Sequence, residues 1–280
     1  MNQTMAVKTE TLKVPGAGLY YEVRGTGPVL LMIPGGPAAA AVFGQIATEL
    51  ASRYTVVTYD PRGLSRSRLD GPVDDGRILE QSADDAHRLI AAITDEPAFV
   101  FGNSGGAVIA LELVRCHPEQ VRALVAHEPP APVLLEDATR RRAAMEEVVD
   151  TYHAAGIGPA MQKFMAAAGI RGGPPPAPQG ELTPEMLEGM AQMERNIAFW
   201  LGHTFGAVAN YEPDFPALRA ASTRIVPAVG EESRGELAHE GGLGLATRLG
   251  TEVVVFPGAH GGFDSHAALF AVKLREVLKQ

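Results

Sequence analysis

The chain has 280 residues, 46% hydrophobic and 20% charged, which is enough to bury a full core in one large domain or a domain with an insert. Lysine plus arginine number 24 against 33 aspartate plus glutamate, and the net charge of −9 opposes attraction to phosphate backbones, so no nucleic-acid partner is expected. The longest apolar runs, such as VLLMIPGGPAAAAVF, are broken by Pro and Gly short of the roughly 18 residues a spanning helix needs, which excludes a helical membrane protein.

In chain order, MNQTMAVKTE shows no apolar stretch of the secretory type, and LKVPGAGLYYEVRG reads as an antiparallel hairpin at a sheet edge. The runs VLLMI, YTVVTY, AFVFG and VRALVAH, and later RIVPAVG and TEVVVFPG, read as strands. Between them FGQIATELAS, SADDAHRLIAAIT, GAVIALELVRCH and finally HAALFAVKLREVLKQ carry helical periodicity. Apolar strands alternating with helices imply an α/β fold, a mostly parallel sheet covered by helices on both faces. The single cysteine, Cys116, excludes an internal disulfide and reads as a packing thiol; with the missing leader it points to a reducing cytoplasm.

The alternation fails between residues 134 and 220. There two helical patterns, LLEDATRRRAAMEEVVDTYHAAG and TPEMLEGMAQMERNIAFWLGHTF, flank the Pro-rich loop GGPPPAPQG. This divides the chain into a core over residues 1–133 and 221–280 and a helical cap or lid over 134–220. The cap would cover the C-terminal edge of the sheet, where open α/β sheets form their ligand crevice. Arg140 to Arg142 read as a solvated helix face paired one turn on with Glu146 and Glu147. Oligomeric state is left open, a homodimer included.

FVFGNSGGAVIA carries the strongest chemical signal. Gly102, Ser104 and Gly106 match G-x-S-x-G between a strand and a helix, the turn that raises a serine nucleophile on strained backbone, with glycines leaving room for strand and helix to approach. Gly105 would offer its N–H, at a helix N-terminus, to a developing oxyanion. The loop IPGGP supplies Gly36 as a second donor, with Gly35 removing side-chain bulk. A serine needs a base to take its proton, and of eight histidines His260, in the loop PGAHGGF between the last strand and the last helix, has the expected chain position. The other seven read as surface or core residues. No histidine pair shows metal-ligand spacing with a third ligand, so no metal site is expected, and serine chemistry completed by water needs no cofactor.

Together the IPGGP loop, YDPRGLSRS, GNSGG and PGAHGGF resemble the α/β-hydrolase fold family over nearly the whole chain. DPRGLSRS is similar to the family's D-x-R-G-x-G-x-S loop, with Ser65 in place of the second glycine, and reads as structural. In most relatives the triad acid stands three residues after the glycine ending the RIVPAVG strand; here that position is Ser233. Glu128, at the end of VRALVAHE, matches a minority arrangement in which a glutamate orients the histidine and fixes its tautomer; Glu232 is the other candidate. One subgroup with that glutamate is the zearalenone lactonases. AHEPP is similar to that group's C-H-E-L-P, GLSRS to G-M-S-R-S and NIAFW to N-Y-P-V-W, and the last match would make Trp200 a cap residue against the substrate. Gly261 departs from an aromatic there, and GNSGG from G-C-S-S-G.

The resemblance implies a serine hydrolase of esters or lactones acting through an acyl-enzyme, with Ser104, His260 and Glu128 catalytic and the amides of Gly36 and Gly105 as oxyanion hole. Trp200, Gly35, Pro130 and Leu134 are assigned to substrate binding, and an apolar cap with Phe199 and Phe205 implies a bulky hydrophobic small-molecule substrate. Carbon-carbon bond hydrolysis and perhydrolysis would leave the same motifs, as would a slowly turning receptor. Dehalogenase or epoxide hydrolase chemistry would need an aspartate at position 104.

Overall fold

The computed structural model describes residues 7–170 and 182–279; the Pro-rich loop lies outside them. Strands β1 (Lys8–Val14) and β2 (Ala17–Arg24) form the expected antiparallel edge hairpin. The chain continues through β3 (Val29–Ile33), α1 (Gly44–Leu50), β4 (Thr55–Tyr59) and the short β5 (Arg68–Leu69). Then come α2 (Ile78–Ile93), β6 (Ala98–Asn103), α3 (Gly105–Cys116) and β7 (Val121–His127). Sheet order is β1-β2-β4-β3-β6-β7-β8-β9, with β5 on β2; β8 (Arg224–Gly230) and β9 (Val254–Phe256) close the far edge. Every pair from β4 to β9 along this order is parallel.

The central strands read as unbroken apolar runs because both their faces are covered. In β3 the side chains alternate: Leu31 and Ile33 join the core on the α2 and α3 side, while Leu30 and Met32 pack toward α1 and toward α11 (Ala267–Lys279).

Between β7 and β8 run α4 (Ala138–Ala155), α5 (Ile157–Ala168) and α6 (Pro184–Phe199), then a π-turn over Trp200–Thr204, α7 (Phe205–Ala209) and α8 (Phe215–Ala220). These elements up to α7 share an apolar cluster with Met145, Val148, Ala160, Trp200, Leu201 and Phe205, which Leu237 after β8 also joins. Phe215 and Leu218 of α8 instead join the core beneath the sheet. Among the described residues no helix is long and apolar enough to cross a membrane.

Helix α9 (Leu237–Leu249), which follows β8, carries Gly241, Gly242 and Gly244, and such residues weaken helical periodicity as a signal. Here they are packing surfaces. A Cβ on Gly241 would stand 2.0 Å from the Pro129 carbonyl oxygen, and one on Gly242 would stand 2.5 Å from Val229. The missing side chains let α9 press against β8 and the segment after β7. Two surface readings are corrected. Cys116 is exposed, because it sits on the last turn of α3 beyond the buried stripe. Arg140 and Arg141 pair with Asp137 and Arg142 with Glu212, while Glu147 turns to Lys163.

Candidate active site

Ser104 joins β6 to α3 with φ 57° and ψ −127°, a conformation that L-residues rarely hold. Its N–H donates to the His127 carbonyl at 2.9 Å, which ties the turn to β7. The flanking glycines are steric requirements: a Cβ on Gly106 would lie 2.1 Å from the Ile33 carbonyl oxygen, and one on Gly102 would lie 2.5 Å from that of Gly106. Gly36 has φ 60°, and its nitrogen lies 3.7 Å from where a Cβ on Gly105 would stand. The Gly36 nitrogen therefore lies beside Gly105, at the N-terminus of α3.

Glu128 leaves the end of β7 with φ 53° and is fully buried. Its Oε2 accepts from His260 Nδ1 at 2.5 Å. Its Oε1 accepts from the Gly230 N–H at 2.8 Å and from the Ser233 hydroxyl. Burial alone would raise this carboxyl; the hydrogen bonds from His260 and Ser233 and the neighbouring imidazoles outweigh it and hold the group at about 2. An ionised acid on Nδ1 keeps the proton there and turns Nε2 of a neutral His260 free to act as a base. His260 and Ser104 line one cleft. No hydrogen bond joins them among the described residues.

Ser233, where most relatives carry the acid, is buried and donates to the acid instead. Glu232 is exposed. The structure also brings in one of the seven histidines that the sequence places on the surface or in the core. His239 of α9 is buried, with Nδ1 3.2 Å from the Ser233 hydroxyl and 3.6 Å from Glu128 Oε1. A buried serine standing in for an acid was the only signal of it. His127 points to the other side and pairs through Nδ1 with Asn103 at 2.7 Å.

The cleft is lined by Ser104, His260, Gly36 and Gly105 together with Pro130, Phe164, Trp200 and Phe205. Trp200 meets Phe164 and Phe205 edge-on, with ring centroids 5.1 Å apart in each case. Gly35 is corrected: it is absent from this lining, because it lies under the serine turn, where a Cβ would meet Ser104 Cβ at 2.6 Å. Leu134 is corrected too, since it packs into the core against Gly244 of α9. Phe199 turns away to lie over Gly63.

A family model for the alpha/beta hydrolase fold matches residues 28–168, which span β3 to α5 and include the serine turn and Glu128. The chain belongs to the α/β-hydrolase fold family. This α/β-hydrolase is 37% identical to an uncharacterized hydrolase, YraK, of Bacillus subtilis over 99% of this chain and 98% of that protein. It is 25% identical to a zearalenone hydrolase of Bionectria ochroleuca over 93% of this chain and 94% of that one. Among solved structures, a hydrolase from Pseudomonas aeruginosa PA01 superposes with a TM-score of 0.71 at 20% identity, covering 97% of this chain and 98% of that chain.

Proposed function

We propose that this α/β-hydrolase is a serine hydrolase cleaving carboxylic esters or lactones through an acyl-enzyme. The observation that carries the reading is the buried carboxylate of Glu128 on His260 Nδ1 at 2.5 Å, in one cleft with a serine on a strained strand-to-helix turn. His260 Nε2 takes the Ser104 proton as Oγ attacks the carbonyl. The tetrahedral oxyanion receives the Gly36 and Gly105 N–H groups, and Glu128 stabilises the imidazolium. The imidazolium then protonates the leaving alcohol, and water deacylates the enzyme by the same route reversed. A serine at position 104 does not support the aspartyl chemistry of epoxide or carbon-halogen cleavage.

Residues 134–220 act in this reading as a cap that supplies the apolar walls. A bulky hydrophobic substrate fits such walls, and a zearalenone-type macrolactone is the specific candidate, supported by the 25% identical zearalenone hydrolase and by the local likeness of AHEPP and NIAFW. The test is a panel of 4-nitrophenyl esters and macrolactones with product identification, paired with mass spectrometry after treatment with a fluorophosphonate. Multiple turnover of an ester or lactone, with the label on Ser104, is the expected result. A label on another residue, or no turnover across the panel, would overturn the reading.

A further inference from the structure

One side chain of the insert makes a set of contacts that neither packing nor the triad requires. Asn196, on α6, is 3% exposed and uses both ends of its amide. Its Nδ2 donates to the Pro37 carbonyl at 3.0 Å and to the Ser65 hydroxyl at 2.9 Å. Its Oδ1 accepts from the Ser65 N–H at 2.9 Å and from Gln192 at 2.9 Å. Both N–H donors and both acceptor directions are therefore filled. Three of the four bonds leave the insert for two loops of the core.

Both loops border the oxyanion site. Pro37 follows Gly36, and its ring restricts the peptide on either side. Holding the Pro37 carbonyl, with the φ of Pro37 fixed by its ring, restricts the short loop that carries the Gly36 amide. Among the described residues, that turn has one internal backbone bond, from Ala38 N–H to the Gly35 carbonyl at 3.2 Å. The second loop carries Ser65 with φ 49°, a conformation that favours glycine. Its N–H and hydroxyl both go to Asn196, which offsets the strain. One turn further on α6, Phe199 lies over Gly63, where a Cβ would come 2.3 Å from the ring. Helix α6 is thus seated on this loop by an amide and an aromatic ring three residues apart.

We propose that Asn196 is a positioning residue that fixes the Gly36 oxyanion donor through Pro37 and Ser65, so that the oxyanion hole is complete only with helix α6 seated on the core. The inference rests on the reading of Gly36 as an oxyanion donor in ester or lactone cleavage. It makes the insert part of the catalytic geometry as well as a wall of the cleft. It also explains why serine is tolerated at position 65: the hydroxyl is a partner that glycine could not supply.

The test compares Asn196→Ala, which keeps a strong helix former in α6, with Gln192→Ala, which removes the bond within α6 and keeps all three bonds to the core loops. Removing an oxyanion donor costs roughly 10²- to 10³-fold in kcat. Loosening one is expected to cost Asn196→Ala roughly 10- to 100-fold in kcat on 4-nitrophenyl butyrate, with KM within about threefold. Affinity for a trifluoromethyl ketone, whose adduct fills the oxyanion hole, should fall by the same factor, while Gln192→Ala stays within about threefold of the parent on both measures. Hydrogen exchange of the amides at residues 35–40 should accelerate in Asn196→Ala. Unchanged kcat, or a rise in KM alone, would overturn the proposal. Should the parent turn over no ester, the ester reading fails on its own, and the exchange measurement then decides the positioning role: unchanged rates overturn it.

Discussion

At the scale of residues, Glu128 bears more of the argument than the serine, because its surroundings are unusual for an acid at a strand end. It is fully buried, bonded on one oxygen by an imidazole and on the other by an amide and a hydroxyl. In the proposed mechanism Glu128→Gln removes the charge that stabilises the imidazolium, and kcat is then expected to fall roughly 10³- to 10⁴-fold. The exposed Glu232→Gln should leave turnover near the parent level, so near-normal turnover of Glu128→Gln would overturn the assignment. The same environment sets the response to acid. Glu128 is held at about 2 against an ordinary 4.5, so its stabilising contribution, about 3 kcal/mol, is present above pH 4.5 and lost as pH falls toward 2. Burial pushes the His127 imidazole from 6.5 to about 3, opposed by the charge of Glu128; its contribution is present above pH 6.5 and lost as pH falls toward 3. Urea unfolding followed against pH should therefore show stability declining below pH 6.5 and more steeply below 4.5. In Glu128→Gln the steeper part should flatten between pH 4.5 and 3.

At the scale of elements, the three glycines of α9 decide the sign of a substitution that usually runs the other way. Gly to Ala inside a helix ordinarily stabilises by roughly 1 kcal/mol. In Gly241→Ala the new methyl would sit 2.0 Å from the Pro129 carbonyl oxygen, and overpacking of this kind costs about 1–3 kcal/mol. Because Pro129 follows Glu128, the strain falls on the acid. Thermal unfolding should show Gly241→Ala less stable than the parent, with turnover reduced as well; a raised Tm would remove this account of α9. The same glycines explain what the sequence did not reveal. The strands and the helices α1, α2, α3 and α11 are legible because burial on both sheet faces or on one helix stripe leaves a period. The serine turn is legible because its glycines have no other residue that fits. Helix α9 hides its period behind glycines chosen for close approach, and with it the placement of His239 beside Ser233. Leu134 and Gly35 were misread for a related reason: a small or apolar residue near a site carries no mark of whether it faces the cleft or the core.

At the scale of the whole molecule, the insert and the sheet meet at the cleft, and the chain's one tryptophan stands at that junction. Trp200 is 6% exposed, opens the π-turn after α6 and lines the same cleft as Ser104. Irregular helical turns of this kind often accompany functional sites, and here the turn sets Trp200 and Phe205 on one wall with Phe164 between the insert's helices. Intrinsic fluorescence excited in the indole band therefore reports on this wall alone. In a Ser104→Ala protein, which binds without turning over, titration with a resorcylate macrolactone should change Trp200 emission in a saturable way, while a short aryl ester too small to span the cleft should change it little. Trp200→Ala removes the largest apolar face from the wall and should raise KM for the macrolactone by roughly tenfold or more, about what 1.4 kcal/mol or more of lost apolar contact would give, with kcat for a short ester nearly unchanged. A macrolactone that is hydrolysed without altering Trp200 emission would mean that the substrate enters along another wall. The insert would then be a structural cover for the core, with no part in choosing what is cleaved.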